Sequence, residues 1–164
     1  MYRRFAFSLL LIALSALSCF ADEPTAPRSA ANIAFRDSVV SLLKDEWVIP
    51  SVNEDGDILF TKEGCDFLVA IYDDTAPFYV QISYYLSLEG IDNQVGLLNV
   101  LHHMNLLYRC VKCSVNEEGD LLISVESYDN TTQVFKDNFK TYTDYIIQVG
   151  MMLGEFINRN SSQK

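Results

Sequence analysis

Cys110 and Cys113 stand three positions apart, a few residues after His102 and His103. Thiolates and imidazoles are the usual ligands of zinc, and a Cys-x2-Cys pair also serves thiol–disulfide exchange. The spacing argues against both. Neighbouring residues on a helix project about 100° apart, so His102 and His103 do not readily share one ion. Cys110 and Cys113 fall in a Val-containing, strand-like stretch, where side chains three apart point to opposite faces. A redox pair needs instead the thiol-activating start of a helix. No metal and no cofactor is expected. An envelope enzyme using Cys110, Cys113 and His103 through a thiol or a metal is the alternative reading.

Two acidic, glycine-containing turns invite a calcium test. Asn53-Glu54-Asp55-Gly56-Asp57 and Asn116-Glu117-Glu118-Gly119-Asp120 each hold several carboxylates. An EF-hand loop requires Gly at its sixth position and Glu at its twelfth. From Asn53 those positions are Ile58 and Gly64; from Asn116 they are Leu121 and Ser127. Both registers fail, and both segments read as solvated hairpin turns. General acid–base work would need carboxylates in a pocket, whereas the acids here cluster in turns. Neither a Gly-x-Ser-x-Gly elbow nor a phosphate-binding Gly loop is present. A non-enzymatic protein is the expectation.

The turns belong to a longer repeat. Ser51-Val52-Asn53-Glu54-Asp55-Gly56-Asp57-Ile58-Leu59-Phe60 returns as Ser114-Val115-Asn116-Glu117-Glu118-Gly119-Asp120-Leu121-Leu122-Ile123, with seven of ten positions identical. Each copy follows an apolar, helix-like stretch, so a helix-then-hairpin unit occurs twice.

The elements that would position these residues follow from periodicity. A helix capped by Ser29 or Asn32 runs to about residue 46, with Phe35, Val39, Leu42, Leu43 and Trp47 at helical spacing; Pro50 excludes its continuation. Strands are expected at 47–52, 57–61, 66–72 and 78–88, with Glu63-Gly64 as a second tight turn. A second helix spans about 92–106, with Val95, Leu98, Leu101 and Asn105 on one face and Leu97 and Met104 beside it. Strands at 108–115 and 120–127 form the repeated hairpin. A last helix runs to about 157 with the stripe Phe135, Phe139, Tyr142, Ile146, Val149, Leu153 and Phe156. The order α-β-β-β-β-α-β-β-α, with short turns between strands, predicts an α+β fold: an antiparallel sheet with helices packed on it.

Residues 1–21 read as a secretory signal peptide. Arg3 and Arg4 precede a short apolar run, and Cys19-Phe20-Ala21 suits cleavage before Asp22. Cys19, after the small Ser18, is a candidate lipidation site, although Ala16 stands where a lipobox usually carries Leu. Residues 22–31 read as a flexible leader, 32–157 as the domain and 158–164 as a polar tail. Cleavage would leave ten basic against 22 acidic residues. That balance repels nucleic acid, and no other stretch is long and apolar enough for stable membrane insertion. An exported, periplasmic or secreted protein is expected. Of its three remaining cysteines, Cys65 paired with Cys110 or Cys113 is the better disulfide, with three reduced buried thiols an equal alternative.

Phe78, Tyr79, Tyr84 and Tyr85, with Tyr72 on a neighbouring strand, form an aromatic row. One face of the sheet must meet the helices; the other, if open, is a partner surface. Alternation alone does not say which face is which.

The segment from Asn53 to Phe60, the strand from Phe67 to Tyr72, Pro77-Phe78-Tyr79-Val80-Gln81-Ile82 and His103-Met104-Asn105 together resemble the YbjN-type family, labelled bacterial sensory transduction regulators, within the type III secretion chaperone-like fold. The resemblance covers about residues 32–157. It implies a binding or regulatory role without catalytic residues, in which a domain that often forms a homodimer holds an extended segment of a protein or peptide partner. A structural envelope component is the remaining alternative.

Overall fold

The structure, a computed structural model, describes residues 28–88, 94–116 and 119–161. The expectations for residues 1–21, Cys19 included, and for residues 22–27 lie outside the described residues. The elements are α1 (Ala30–Asp45), β1 (Ser51–Val52), β2 (Ile58–Lys62), β3 (Cys65–Ile71), β4 (Phe78–Leu86), α2 (Gln94–Leu107), β5 (Val111–Val115), β6 (Leu121–Asp129) and α3 (Thr132–Ser161). Their order is the expected α-β-β-β-β-α-β-β-α. The sheet has six strands in the order β1-β2-β3-β4-β6-β5, every neighbouring pair antiparallel.

The sequence repeat is a repeated turn. In the first copy Asn53 N–H donates to Asp57 O, Gly56 N–H to Asn53 O, and Asp57 N–H to Asn53 Oδ1. In the second, Asn116, Gly119 and Asp120 make the same three bonds. The asparagine side chain closes each loop and the glycine supplies the left-handed backbone, φ 81° at Gly56 and 89° at Gly119. The strands that open the two hairpins, β1 and β5, lie at opposite edges of the sheet. Between β2 and β3, Glu63 (φ 53°) and Gly64 (φ 79°) form a two-residue loop with both residues left-handed, the turn that matches strand twist.

All three helices lie on one face of this sheet. Ile58, Phe60, Phe67, Val69, Phe78, Val80, Ile82, Leu121, Ile123 and Val125 alternate inward and share one buried cluster with the helices. Helix α3 crosses β4 and β6, burying Phe135, Phe139, Ile146, Val149 and Leu153 of the expected stripe. A Cβ at Gly150 would lie 3.0 Å from the Tyr84 ring, so glycine there sets how closely α3 approaches the sheet. Phe35 of α1 meets Phe78 with ring centroids 4.5 Å apart.

The start of α1 is fastened rather than flexible. Ser29 caps it, accepting from Asn32 N–H. Arg28 donates to Asp55 O and Ile71 O and pairs with Asp57 at 2.7 Å. The side-chain amide of Asn32 reaches Ile71 O and Asp73 O. The expected leader therefore gives way to ordered structure at Arg28. At the other end, α3 continues to Ser161, into the stretch expected to be a polar tail.

Three further expectations are corrected. Trp47 does not extend the buried stripe of α1. It follows the C-cap Glu46 with φ 61°, donates to Lys44 O, and precedes Val48, which donates to Leu43 O. This is a Schellman motif with tryptophan where glycine is preferred, a conformation costing a non-glycine residue about 1–2 kcal/mol. The strand expected from residue 47 shrinks to Ser51–Val52, because Pro50 has no N–H for a ladder. In α2 the buried face is Leu97 and Leu101, with Val100 and Met104, while Val95 and Leu98 are exposed. The helix is apolar on more than one side, so periodicity alone did not choose between them.

No disulfide joins the cysteines. β4 and β6 lie between β3 and β5, and three strand spacings are roughly 14 Å, about twice the widest bridged Cα separation. Cys65 is thus out of reach of Cys113. Cys113 is buried and Cys110 exposed, so that pair is not bridged either; all three are free thiols.

One buried charge is unsupported. Asp129, at the end of β6, is 1% exposed, and neither carboxylate oxygen has a hydrogen-bond partner of good geometry. Burial raises its pKa above the ordinary aspartate range, with only partial offset from the Ser127 hydroxyl. A carboxyl whose folded pKa is raised binds its proton more tightly when folded. Stability is then greatest below the ordinary aspartate pKa and falls as pH rises through the raised value. Asp129→Asn should therefore raise the neutral-pH melting temperature by a few degrees, about 1 kcal/mol. Thermal melts across pH should show that advantage vanish below about pH 4. A variant that melts lower at pH 7 would mean the charge is supported.

Candidate functional site

The helix-free face of the sheet is the candidate site. Strand alternation puts Tyr72, Tyr79, Gln81, Tyr85, Leu122, Glu126 and Tyr128 on it, along with Leu59 and Leu68. Of the expected aromatic row, Tyr79 and Tyr85 are on this open face. Phe78 and Tyr84 are on the other, Phe78 buried against α1 and Tyr84 half-buried under Gly150. The correction is one of parity: adjacent residues in a strand cannot share a face. Sequence reading missed Tyr128, because β6 runs two residues past its expected end at 127.

Three tyrosines form a ladder across β3, β4 and β6. Tyr72 and Tyr79 have centroids 5.4 Å apart, and Tyr79 and Tyr128 are 5.2 Å apart. Tyr72 is 60% and Tyr128 68% exposed, so their rings meet water although tyrosine–tyrosine contact covers their edges. A polar network holds them. The Tyr72 hydroxyl donates to Gln81 Oε1 at 3.0 Å, and Gln81 Nε2 donates to Glu126 Oε1 at 3.2 Å. Lys112 Nζ from edge strand β5 reaches both oxygens of Glu126, at 2.8 and 2.7 Å. The Tyr79 phenol lies close enough to Glu126 for each to shift the other's pKa. The hairpin register that sets Lys112 opposite Ser124 already places Lys112 diagonal to Glu126, a signal available to sequence reading.

These bonds set the site's electrostatics. Burial alone would raise the Glu126 carboxyl, but Lys112, Tyr79 and Gln81 hold it below the ordinary glutamate range. Burial, then the Glu126 carboxylate, pushes the Tyr79 phenol up to about 12. The face is therefore a set of aromatic rings around the Glu126–Lys112 pair.

At the other end of the face lies a groove of about 630 Å³, lined by Ile49, Leu59, Leu68 and Tyr85, with Thr61 and Asp66 on its rim. Tyr85 is 42% exposed. A smaller cleft around the edge of β2, lined by Glu46, Trp47, Glu63, Phe139 and Lys140, shares Thr61 with it.

The residues of the alternative enzymatic reading are not brought together. His102 and His103 are exposed on α2, Cys110 is exposed before β5, and Cys113 faces the core, where burial raises its thiol to about 11. No group of three His, Cys, Asp or Glu among the described residues could hold a metal ion. Among the described residues no helix is long and apolar enough to cross a membrane. No family model, no curated protein and no solved structure matches this chain.

Glu126→Gln keeps the shape of the hub and removes its charge. In an absorbance titration of phenolate formation, the phenol that ionises near 12 should move down toward the ordinary tyrosine value of about 10, without reaching it, since burial remains. The parent should also lose stability on the acid side as pH falls through the lowered Glu126 pKa, a loss absent from the variant. An unshifted last phenol would show that burial alone holds Tyr79.

Proposed function

We propose that this chain is an exported, non-enzymatic binding domain that captures a protein or peptide segment on the open face of its sheet. The observation that carries this reading is the ladder Tyr72–Tyr79–Tyr128, on a face that no helix among the described residues covers, yet held by a hydrogen-bonded network. Ordered aromatic side chains lose little conformational freedom on contact, and Tyr and Trp dominate the energetics of protein interfaces. The excess of acidic residues disfavours nucleic acid as the occupant. Export rests on the pattern of residues 1–21. Capture of an extended segment accords with the resemblance to the YbjN-type family and the type III secretion chaperone-like fold.

Crosslinking the tagged protein in cells of its own host should recover one recurrent, stoichiometric partner. Tyr79→Ala and Tyr85→Ala should each reduce that recovery several-fold while leaving thermal unfolding within about 1 kcal/mol of the parent. Undiminished recovery in both variants would remove the face from the interface.

A second observation favours self-association. Val95, Leu98, His102 and Leu106 form an exposed stripe along the outer side of α2, three of the four apolar. A dimer formed there would leave the open face free. Sedimentation equilibrium should show a dimer that Leu98→Glu converts to monomer; a parent that stays monomeric at all concentrations excludes it.

A further inference from the structure

We propose that Trp47 is the anchor for the captured segment, and that this segment is extended, apolar and basic. The inference rests on the open-face reading above and adds the partner's chemistry. Trp47 is 96% exposed and the neighbouring Ile49 is 92% exposed. They project at the edge of the sheet where the open-face groove and the smaller cleft meet at Thr61. Folding does not account for the indole. It contributes no burial, and it occupies a left-handed position that glycine would fill without strain. A strained backbone presenting a large apolar side chain to water is a feature of contact surfaces.

Charge selects the occupant. Glu46 and Glu63 line the cleft and neither forms an ion pair within 4 Å among the described residues, although Glu63 lies close enough to attract Lys140; Asp66, exposed on the rim of the groove, accepts the Thr61 hydroxyl. The two lysines of the cleft, Lys62 and Lys140, are both engaged by Asp144, and Lys62 also sits over the Phe139 ring. Lys44, in the last turn of α1, is a further cation, next in the chain to Asp45 and Glu46. The cleft and the adjoining edge of the groove are thus net acidic, beside the groove's apolar floor of Ile49, Leu59, Leu68 and Tyr85. A second copy of this acidic chain would bring like charge to that rim. A segment with apolar side chains on one face and Lys or Arg on the other fits it, and alternation of that kind is what an extended chain presents.

Trp47 is the sole tryptophan of the chain, so its emission reports its own surroundings. The purified protein should emit as a water-exposed indole. A capped decapeptide of alternating leucine and lysine should move that emission to the blue, less so as salt is added, and a leucine–glutamate decapeptide should not. Trp47→Gly should melt no lower than the parent. It should bind the fluorescein-labelled leucine–lysine peptide at least about tenfold more weakly by anisotropy. Equal binding by Trp47→Gly overturns the anchor. A blue shift with the leucine–glutamate peptide overturns the basic partner. A shift with phosphatidylcholine vesicles and neither peptide assigns Trp47 to a lipid surface, and a shift that grows with protein concentration alone assigns it to a second copy; either overturns the proposal. In all these cases Tyr79→Ala crosslinking still judges the open-face reading separately.

Discussion

The packing of α3 across β4 and β6 is the contact through which the rest of the molecule is organised. Phe135, Phe139, Ile146, Val149 and Leu153 meet the inward side chains of the two longest strands, and α1 and α2 complete the same layer. Three helices suffice to cover one face of a six-stranded sheet, and among the described residues none lies on the other. A two-layer fold of this kind must make its second face compatible with water. Here that is done by the Gln81–Glu126–Lys112 network and by tyrosines, of which Tyr72 donates its hydroxyl to Gln81 while its ring remains accessible. The open face is thus a direct consequence of where the helices went.

How much of this was legible depends on the range of the interaction. The repeated Asn–Gly turns were readable because each is closed within five residues, by an asparagine side chain and a glycine of positive φ. The α3 stripe was readable because one period runs through it uninterrupted. Trp47 was misplaced because its spacing from Leu43 continues the helical pattern, while the Schellman turn that ends the helix depends on a backbone state tryptophan rarely takes. The cysteines were left open between a Cys65 disulfide and three reduced thiols because the insertion of β4 and β6 between β3 and β5 is a fact of strand order, which local pattern does not encode. The aromatic row divides between the two faces for a similar reason. Parity separates Tyr79 and Tyr85 from Phe78 and Tyr84, but only the placement of α1 and α3 decides which pair is covered.

Not every strained or costly feature of the fold points to contact. Asp129 and Trp47 both lower stability, in different ways. Asp129 is hidden at the end of β6, where burial raises its pKa, and its cost is electrostatic. Trp47 lies in water at the cleft that shares Thr61 with the groove, and its cost is conformational. Removal of the first would affect folding alone. Removal of the second would relieve strain and also delete the largest accessible apolar side chain at the edge of the groove. The difference in exposure is what separates a packing defect from a candidate anchor.

The sheet edges decide how a partner could approach. An exposed edge strand invites another strand to pair with it, the commonest route by which sheets bind extended chains. At the β5 edge, Asn105 of α2 already occupies that role: its side-chain amide donates to Cys113 O, and its carbonyl accepts Cys113 N–H at 2.7 Å, in the manner of a neighbouring strand. At the opposite edge, β1 is two residues long and follows Pro50, so only residues 60–62 of β2 stand unpaired there. Among the described residues, only short stretches of either edge are free. An extended segment would therefore engage this domain through side chains, lying across the open face between the tyrosine ladder at one end and the Ile49–Tyr85 groove at the other. Recognition of that kind depends on what the segment's side chains are, which is why the aromatic ladder and the acidic rim around Trp47, rather than backbone pairing, would set its specificity.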